Sequence, residues 1–303
     1  MSKKYLVVGG VAGGMSAAAR LRRLDPFADI QVFEKGPHVS FSNCCLPFHL
    51  SDMITPAENL VLMTPELLKK QYNLDVKVLH QVESIDKVNK KIKIKKVMTG
   101  EVYEESYDKL ILSPGASPVL PKSIKGIDSS HVFTIRNVVD IDKLKTYLDI
   151  HSIEDVAVIG GGFIGLEAME SLSEAGKNVT LVEGANQILQ PIDYDLVQIL
   201  HKEIMDKGVN LIVNDVLSEI HDDHIVLKSG REIKAKAVVM AIGVKPETSL
   251  AVGADLKIGV TGGIEVNHHY QTSDPDIYAV GDAIEVTHFI TNKNTRLILA
   301  GTA

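Results

Sequence analysis

Two short apolar runs, Tyr5–Val8 and Val156–Ile159, each break off into a cluster of glycines. Beyond each cluster the apolar residues take helical spacing, and a second short apolar run then ends in an acid, Glu34 or Glu183. Residues 3–36 and 154–185 therefore read as the same strand–turn–helix–strand unit written twice. Each copy continues through a helical stretch into alternating apolar and polar residues, 75–96 and 209–235. Turn signals fall near Asn89 and Thr99–Gly100 in the first, and at Asp222–Asp223 and Ser229–Gly230 in the second. Each closes on an apolar strand that runs into glycine, 107–115 and 235–243. The pattern predicts an α/β fold of two parallel sheets, each with an inserted antiparallel β-meander.

The glycine spacing gives these turns a chemistry. Gly160, Gly162 and Gly165 fill G-x-G-x-x-G, and Glu183 follows Gly160 by 23 residues. The first glycine makes a tight turn, the second lets backbone N–H groups approach a diphosphate, and the third lets helix and strand pack closely. In the first copy Gly9 and Gly14 match and Glu34 follows Gly9 by 25 residues, but Val11 stands at the second position. Gly10 and Gly13 keep that backbone approachable. Two such units, each with a preceding strand and a spaced acid, predict two Rossmann-like dinucleotide-binding domains. Punctuation sets the boundaries. Residues 113–121 hold three prolines and lead out of the first domain, and 243–249 closes the second. The first domain is expected over 1–118, the second over 119–245, and a return to the first over 246–303. In the returning segment the short strand 277–280 runs into Gly281–Asp282, which places a carboxylate just past a strand end, suited to a polyol.

Bulk properties narrow the class. The chain of 303 residues, 45% apolar and 23% charged, is long enough for two domains without disulfides or metal. A net charge of −7 argues against a nucleic-acid partner. No apolar run reaches the roughly 20 residues of a membrane helix. The lysines and apolar run at the start mimic a secretion signal, but Gly9, Gly10, Gly13 and Gly14 make that run a poor helix. Two cysteines fit a reducing compartment, and a cytoplasmic location is expected.

Both cysteines lie side by side in SFSNCCLPFHL, residues 40–50. Two adjacent thiols with His49 nearby make a poor zinc site, and a Cys44–Cys45 disulfide would be a strained ring. Buried inert thiols and a reaction centre both remain open at this point. Pro47 is tolerated only in the first turn of a helix, so a helix here is expected to start near Asn43 or Cys44, with Ser42 or Asn43 as its cap. A sulfur at a helix start faces the positive end of the dipole, which favours the thiolate that attacks disulfides. No metal site is expected among the eleven histidines. His268 and His269 are adjacent and, on a strand, would point to opposite sides, and with His221 and His224 they read as surface residues.

Taken together, the duplicated unit, the cysteine stretch and T-x-x-P-x-I-Y-A-x-G-D at Thr272–Asp282 resemble the two-dinucleotide flavoprotein disulfide reductases, over essentially the whole chain. The resemblance implies FAD on the first unit and NAD(P)H on the second. It gives FAD binding to Gly9, Gly10, Val11, Ala12, Gly13, Gly14, Glu34, Lys35, Gly115 and Asp282, with Glu34 on the ribose and Asp282 on the ribityl chain. It gives nicotinamide-nucleotide binding to Gly160, Gly162, Phe163, Ile164, Gly165, Glu167, Glu183 and Gly243. Phe163 would cover the flavin face, and Glu167 would orient the carboxamide. The C-x-x-x-x-C pair of one branch is absent. SFSNCCLPF looks instead like the S-F-x-N-C-x-L-P-Y form of coenzyme A-disulfide reductases, a single-cysteine branch that also holds persulfide reductases. That form makes Cys44 the redox centre, flanked by Asn43 and Ser40. Peroxidases of this branch carry histidine in the first glycine turn, where this chain has Ala12.

The implied activity is reduction of coenzyme A disulfide, coenzyme A persulfide or polysulfide by NAD(P)H, with coenzyme A as a possible bound substrate. Arg20 and Arg23, with Lys70, are candidates for its phosphates, against the plain alternative of a solvated basic face. Glu183 would accept the 2′-hydroxyl of NADH and repel the 2′-phosphate of NADPH, and no Arg or Lys in 183–187 offsets it, so NADH is favoured. Two other readings stay open: a water-forming NADH oxidase working through a cysteine sulfenic acid, and a dinucleotide-binding redox sensor that turns nothing over. The resemblance further implies a homodimer and about a hundred residues after the final LAGTA that form its interface. This chain, without that dimerisation domain, is expected to be monomeric, a poor catalyst and partly flavin-free.

Overall fold

A computed structural model describes residues 3–297. By packing, the chain divides into two units. The first comprises the residues up to Phe41, Val61–Ser117 and the residues from Lys245 on; the second comprises Ser42–Leu60 and Pro118–Val244.

In the first unit β1 (Lys4–Val8), α1 (Ala12–Leu24) and β2 (Asp29–Phe33) form the expected strand–helix–strand start. After it come α2 (Pro65–Tyr72), β3 (Asp75–Lys77), the meander β4 (His80–Asp86), β5 (Lys91–Lys96) and β6 (Val102–Ser106), then β7 (Lys109–Leu112). The short β8 (Ala116–Pro118) carries the chain out. The second unit holds β9 (Val132–Phe133), α3 (Val138–Ile150), β10 (Asp155–Ile159), α4 (Phe163–Glu174), β11 (Asn178–Val182), α5 (Tyr194–Asp206) and β12 (Asn210–Ile212). Its meander is β13 (Leu217–Ile220), β14 (His224–Leu227) and β15 (Glu232–Lys234), followed by β16 (Ala237–Met240). The chain returns through β17 (Val244–Pro246), which pairs with β8. It ends in α6 (Ser249–Gly253), β18 (Ile264–Glu265), β19 (Ile277–Ala279), β20 (Ile284–Thr287) and β21 (Asn294–Thr295).

The two main sheets are parallel and share a plan. The first runs β19-β7-β1-β2-β3, the second β9-β16-β10-β11-β12. In each, the strand before the glycine turn is central. Its two faces are covered differently, which is why its residues are apolar without a break. Leu6 and Val8 share a core with Ile92 and Ile94 of the meander, whereas Val7 packs with Met15 and Ala18 of α1. In the second unit Ala157 and Ile159 meet Ile225 and Leu227 of its meander in the same way. Arg22, at the end of α1, donates to the carbonyls of Tyr72 (3.0 Å), Asn73 (2.9 Å) and Pro26 (2.8 Å), so it is a strut between the ends of α1 and α2.

Three expectations need correction. Residues 42–60 fall inside the expected first domain, but they pack with the second unit. The cysteine stretch forms no α-helix: Asn43–Cys45 and Pro47–His49 are two successive 3₁₀ turns. Pro47 opens the second of them, and the Ser42 side chain caps nothing. The dipole of a full helix is therefore not available to Cys44. His268 and His269 lie in a turn, not a strand, and their rings pack against each other at 3.9 Å between centroids. Among the described residues no group of three or more His, Cys, Asp or Glu is placed to hold a metal ion. The Leu299–Ala303 stretch lies outside the described residues.

Candidate active site

The two glycine turns are built alike from their backbones. Gly9 has φ 99°, and a Cβ there would lie 1.9 Å from the Ser113 carbonyl oxygen; Gly160 has φ 109°, and its Cβ would lie 2.4 Å from the Ala241 oxygen. Neither position admits another residue. Third in the motif, Gly14 and Gly165 would each put a Cβ 1.9 Å from the carbonyl oxygen of the first glycine, so helix and strand are in direct backbone contact. At the middle position Gly162 faces open space, and Val11 takes its place in the first unit. Val11 and Gly162 are the N-caps of α1 and α4. No side chain caps either helix and neither has an acid in its first turn, so the leading amides are left for a diphosphate.

The spaced acids close each turn in the same manner. Glu34 accepts the Gly10 amide at 2.9 Å and the Gly36 amide at 2.7 Å; Glu183 accepts Gly161 at 2.6 Å and Ala185 at 2.8 Å. Each carboxylate oxygen keeps a lone pair for a ribose hydroxyl. Lys35 follows on the exposed side. Gly115 and Gly243, each with positive φ, lie just past the ends of β7 and β16, and their carbonyls accept amides from the chain crossing between the units: Glu247 to Gly115 at 2.9 Å and Val119 to Gly243 at 3.0 Å. Asp282 sits in a 3₁₀ turn that packs against α1. These residues lie at the carboxyl ends of the parallel strands; the amide donors and the spaced acid of each unit, with the open middle position at Gly162 in the second, fit a dinucleotide in each. A cleft of about 530 Å³ opens at the opposite edge of the second sheet, between the starts of β10, β11 and β12, and none of the candidate residues lines it.

On α4, Phe163 is 63% exposed and Ile164 40%. Glu167, one turn further on, is half-buried; that burial, with Glu170 nearby, pushes its carboxyl above the usual range. Arg20 and Arg23 are exposed on α1, and Lys69 and Lys70 on α2, while Arg22 between them is committed to the strut described above.

The sulfurs lie on a loop with a pinned neck. The Ser42 amide donates to the Leu60 carbonyl at 2.9 Å, and beside it Leu62 donates to Ser40 at 2.9 Å. Ser40, at φ 48°, also donates its amide to Gly10 of the first glycine turn at 2.8 Å. Cys44 is exposed, Cys45 is half-buried, and both are free thiols. Asn43 is exposed, and its carbonyl accepts the Leu46 amide at 3.3 Å. The contacts that carry this loop were not foreseen from the sequence: Lys145 of α3 pairs with Asp52 at 3.1 Å, and His49 is buried. Partners 93 residues apart leave no local signal.

Comparison with known proteins decides the family, because a match to the family described as pyridine nucleotide-disulphide oxidoreductase spans residues 3–299. The chain belongs to that family. The coenzyme A disulfide reductase of Staphylococcus haemolyticus is 32% identical over 98% of this chain and 67% of its own length. The structure of reduced Bacillus anthracis CoADR-RHD superposes with a TM-score of 0.97 at 48% identity, over 100% of this chain and 55% of that one. A NAD-dependent persulfide reductase from A. fulgidus gives 0.95 at 33% identity, over 99% and 57%. The chain thus spans about two thirds of that curated relative and little over half of those two structures. For a pyridine nucleotide-disulphide oxidoreductase, FAD and a nicotinamide nucleotide are the implied cofactors, and the paired glycine turns supply a place for each. No helix among the described residues is long and apolar enough to cross a membrane.

Proposed function

We propose that the protein reduces coenzyme A disulfide, coenzyme A persulfide or polysulfide with NADH, using Cys44 as the reacting sulfur. The observation that carries this reading is the state of the two cysteines. Adjacent thiols stand unbridged on a pinned loop, with Cys44 open to solvent. Inert structural cysteines are buried.

In this reading the Gly9–Gly14 turn and the start of α1 bind the FAD diphosphate, Glu34 its ribose and Asp282 its ribityl chain. The Gly160–Gly165 turn and α4 bind the NADH diphosphate, and Glu183 takes the ribose 2′-hydroxyl and disfavours a 2′-phosphate. Phe163 covers the flavin face until the nicotinamide displaces it, Ile164 lies beside it in the nucleotide site, and Glu167 orients the carboxamide. Arg20, Arg23 and Lys70 receive coenzyme A phosphates. The Cys44 thiolate attacks one sulfur of the substrate, the substrate S–S bond breaks, the first thiol leaves as thiolate and takes up a proton, and a mixed disulfide remains on Cys44. FAD, when bound, supplies the two-electron link between NADH and that mixed disulfide. Cys44 is regenerated as thiolate, and one disulfide, one NADH and one proton give two thiols and NAD⁺. Asn43 and Ser40 flank the sulfur and shape its approach. The likeness to the staphylococcal reductase and the persulfide reductase supports this substrate class.

An anaerobic NADH titration of the flavin-loaded full-length protein tests the reading. With Cys44 first converted to its mixed disulfide with coenzyme A, two electrons beyond those taken by the flavin are expected, and Cys44→Ser, which cannot form that disulfide, should lose them. Unchanged electron uptake in that variant would favour the sensor, and in a separate aerobic assay stoichiometric oxygen uptake in place of disulfide turnover would favour the oxidase.

A further inference from the structure

The loop bearing Cys44 is an excursion of the first unit by sequence and a part of the second by packing. Its own turn holds the sulfur loosely, since the first 3₁₀ turn is three residues long, uncapped by Ser42 and contains no buried residue. The rest of the loop is held firmly. Leu46, Pro47 and Leu50 are buried, the Pro47–His49 turn packs on α3 and α4, and Ala57–Leu60 packs on α3.

Two polar groups fix that seat. Lys145 of α3 has a side chain only 17% exposed, with its Nζ 3.1 Å from Asp52 Oδ2 and 3.2 Å from Asp149 Oδ2. His49, five residues beyond Cys44 and 5% exposed, has Nδ1 2.8 Å from the Ile54 carbonyl oxygen and Nε2 3.8 Å from Asp142 Oδ1 of α3. A buried imidazole and a largely covered lysine are costly to place where apolar side chains would pack equally well. What they add is direction: one angle-dependent contact inside the loop, one ion pair to α3, and an imidazole facing Asp142 on the same helix.

We propose that Lys145 and His49 are positioning residues that hold the Cys44 loop on α3, so that the nicotinamide-side unit sets where the reacting sulfur stands. This rests on the reading of Cys44 as that sulfur.

The test uses the flavin-loaded full-length protein with Lys145→Ala, the reversed pair Asp52→Lys with Lys145→Asp, His49→Phe, and His49→Asn, whose amide can still donate to Ile54. Three quantities are read: the alkylation rate of Cys44 relative to Cys45 by iodoacetamide, mapped by peptide mass spectrometry; kcat and KM; and the melting temperature. Lys145→Ala and His49→Phe are expected to shift the Cys44-to-Cys45 ratio about threefold or more and to lower kcat about tenfold, with KM for NADH within about twofold. The reversed pair and His49→Asn are expected to bring the ratio and kcat back to within about twofold of the parent. Should His49→Phe not fold, the Lys145 set decides alone. A ratio within about twofold of the parent in Lys145→Ala, or a shift that the reversed pair does not restore, overturns the proposal. If the parent itself turns over no disulfide, the alkylation ratio still decides the positioning role, and it is the proposed function that fails.

Discussion

The Glu183 carboxylate accepts the Gly161 amide at 2.6 Å. In the first unit Glu34 holds Gly10 in the same way at 2.9 Å, so in both units the ribose-binding candidate also shapes the turn that would receive the diphosphate. Glu183→Ala removes the turn contacts and the negative charge together. The expected result is about tenfold weaker NADH binding and a preference shifted toward NADPH, read by fluorescence titration. NADPH affinity that stays at the parent value would separate Glu183 from cofactor choice.

Gly162 and Gly165 give opposite predictions from the same motif. Gly165→Ala drives a Cβ to 1.9 Å from the Gly160 oxygen, a backbone atom that cannot step aside, and should cost about 3 kcal/mol of stability or prevent folding of the second unit. Gly162→Ala meets nothing within 4 Å and should fold, yet weaken NADH binding by filling the space a diphosphate would take. Thermal melts and NADH titration of both variants check the pair.

Burial holds the Glu167 carboxyl above the usual range, so the folded state favours its protonated form. The cost of the charged form is present once pH rises past the raised folded value and vanishes below the unfolded one. Glu167→Gln should therefore melt higher than the parent near pH 7, and the two should converge near about pH 4. A melting difference that does not depend on pH would assign the effect to packing.

Neighbouring arginines on α1 should behave unlike one another. Arg22→Ala removes the bonds to Tyr72, Asn73 and Pro26 and should cost roughly 2–3 kcal/mol in denaturant melts. Arg20→Ala and Arg23→Ala, both exposed, should stay within about 0.5 kcal/mol of the parent and instead raise KM for coenzyme A substrates.

Much of the fold is legible because its signals are local. Four apolar residues, a glycine cluster and a spaced acid specify each glycine turn, and the repetition of that phrase exposes the duplicated sheet. Glycine positions carry the site as well, since Gly9, Gly14, Gly160 and Gly165 are required by contacts that only a missing side chain permits. The cysteine loop shows where such reading stops. Pro47 points to one helix starting near Asn43 or Cys44, yet it opens a second, separate 3₁₀ turn; that geometry depends on the surfaces of α3 and α4 beneath it, which the residues at 42–60 do not encode. Its partners Asp142 and Lys145 lie some 90 residues away on a helix whose polar positions look like ordinary solvent contacts. His268 and His269 differ for a related reason: Asn267 accepts the amides of His269 and Gln271, and so bends a run that alternation alone would leave extended.

The edge strand β19 has a consequence for synthesis. It pairs with β7 from residues 277–279, whereas every strand of the second sheet lies between Val132 and Met240. A growing chain therefore exposes the full set for the later half roughly 2–8 s before the earlier half receives its last strand, at ordinary ribosomal rates. Until then β7 presents an unpaired apolar rim, and a chaperone acting during translation would be expected to meet that rim first.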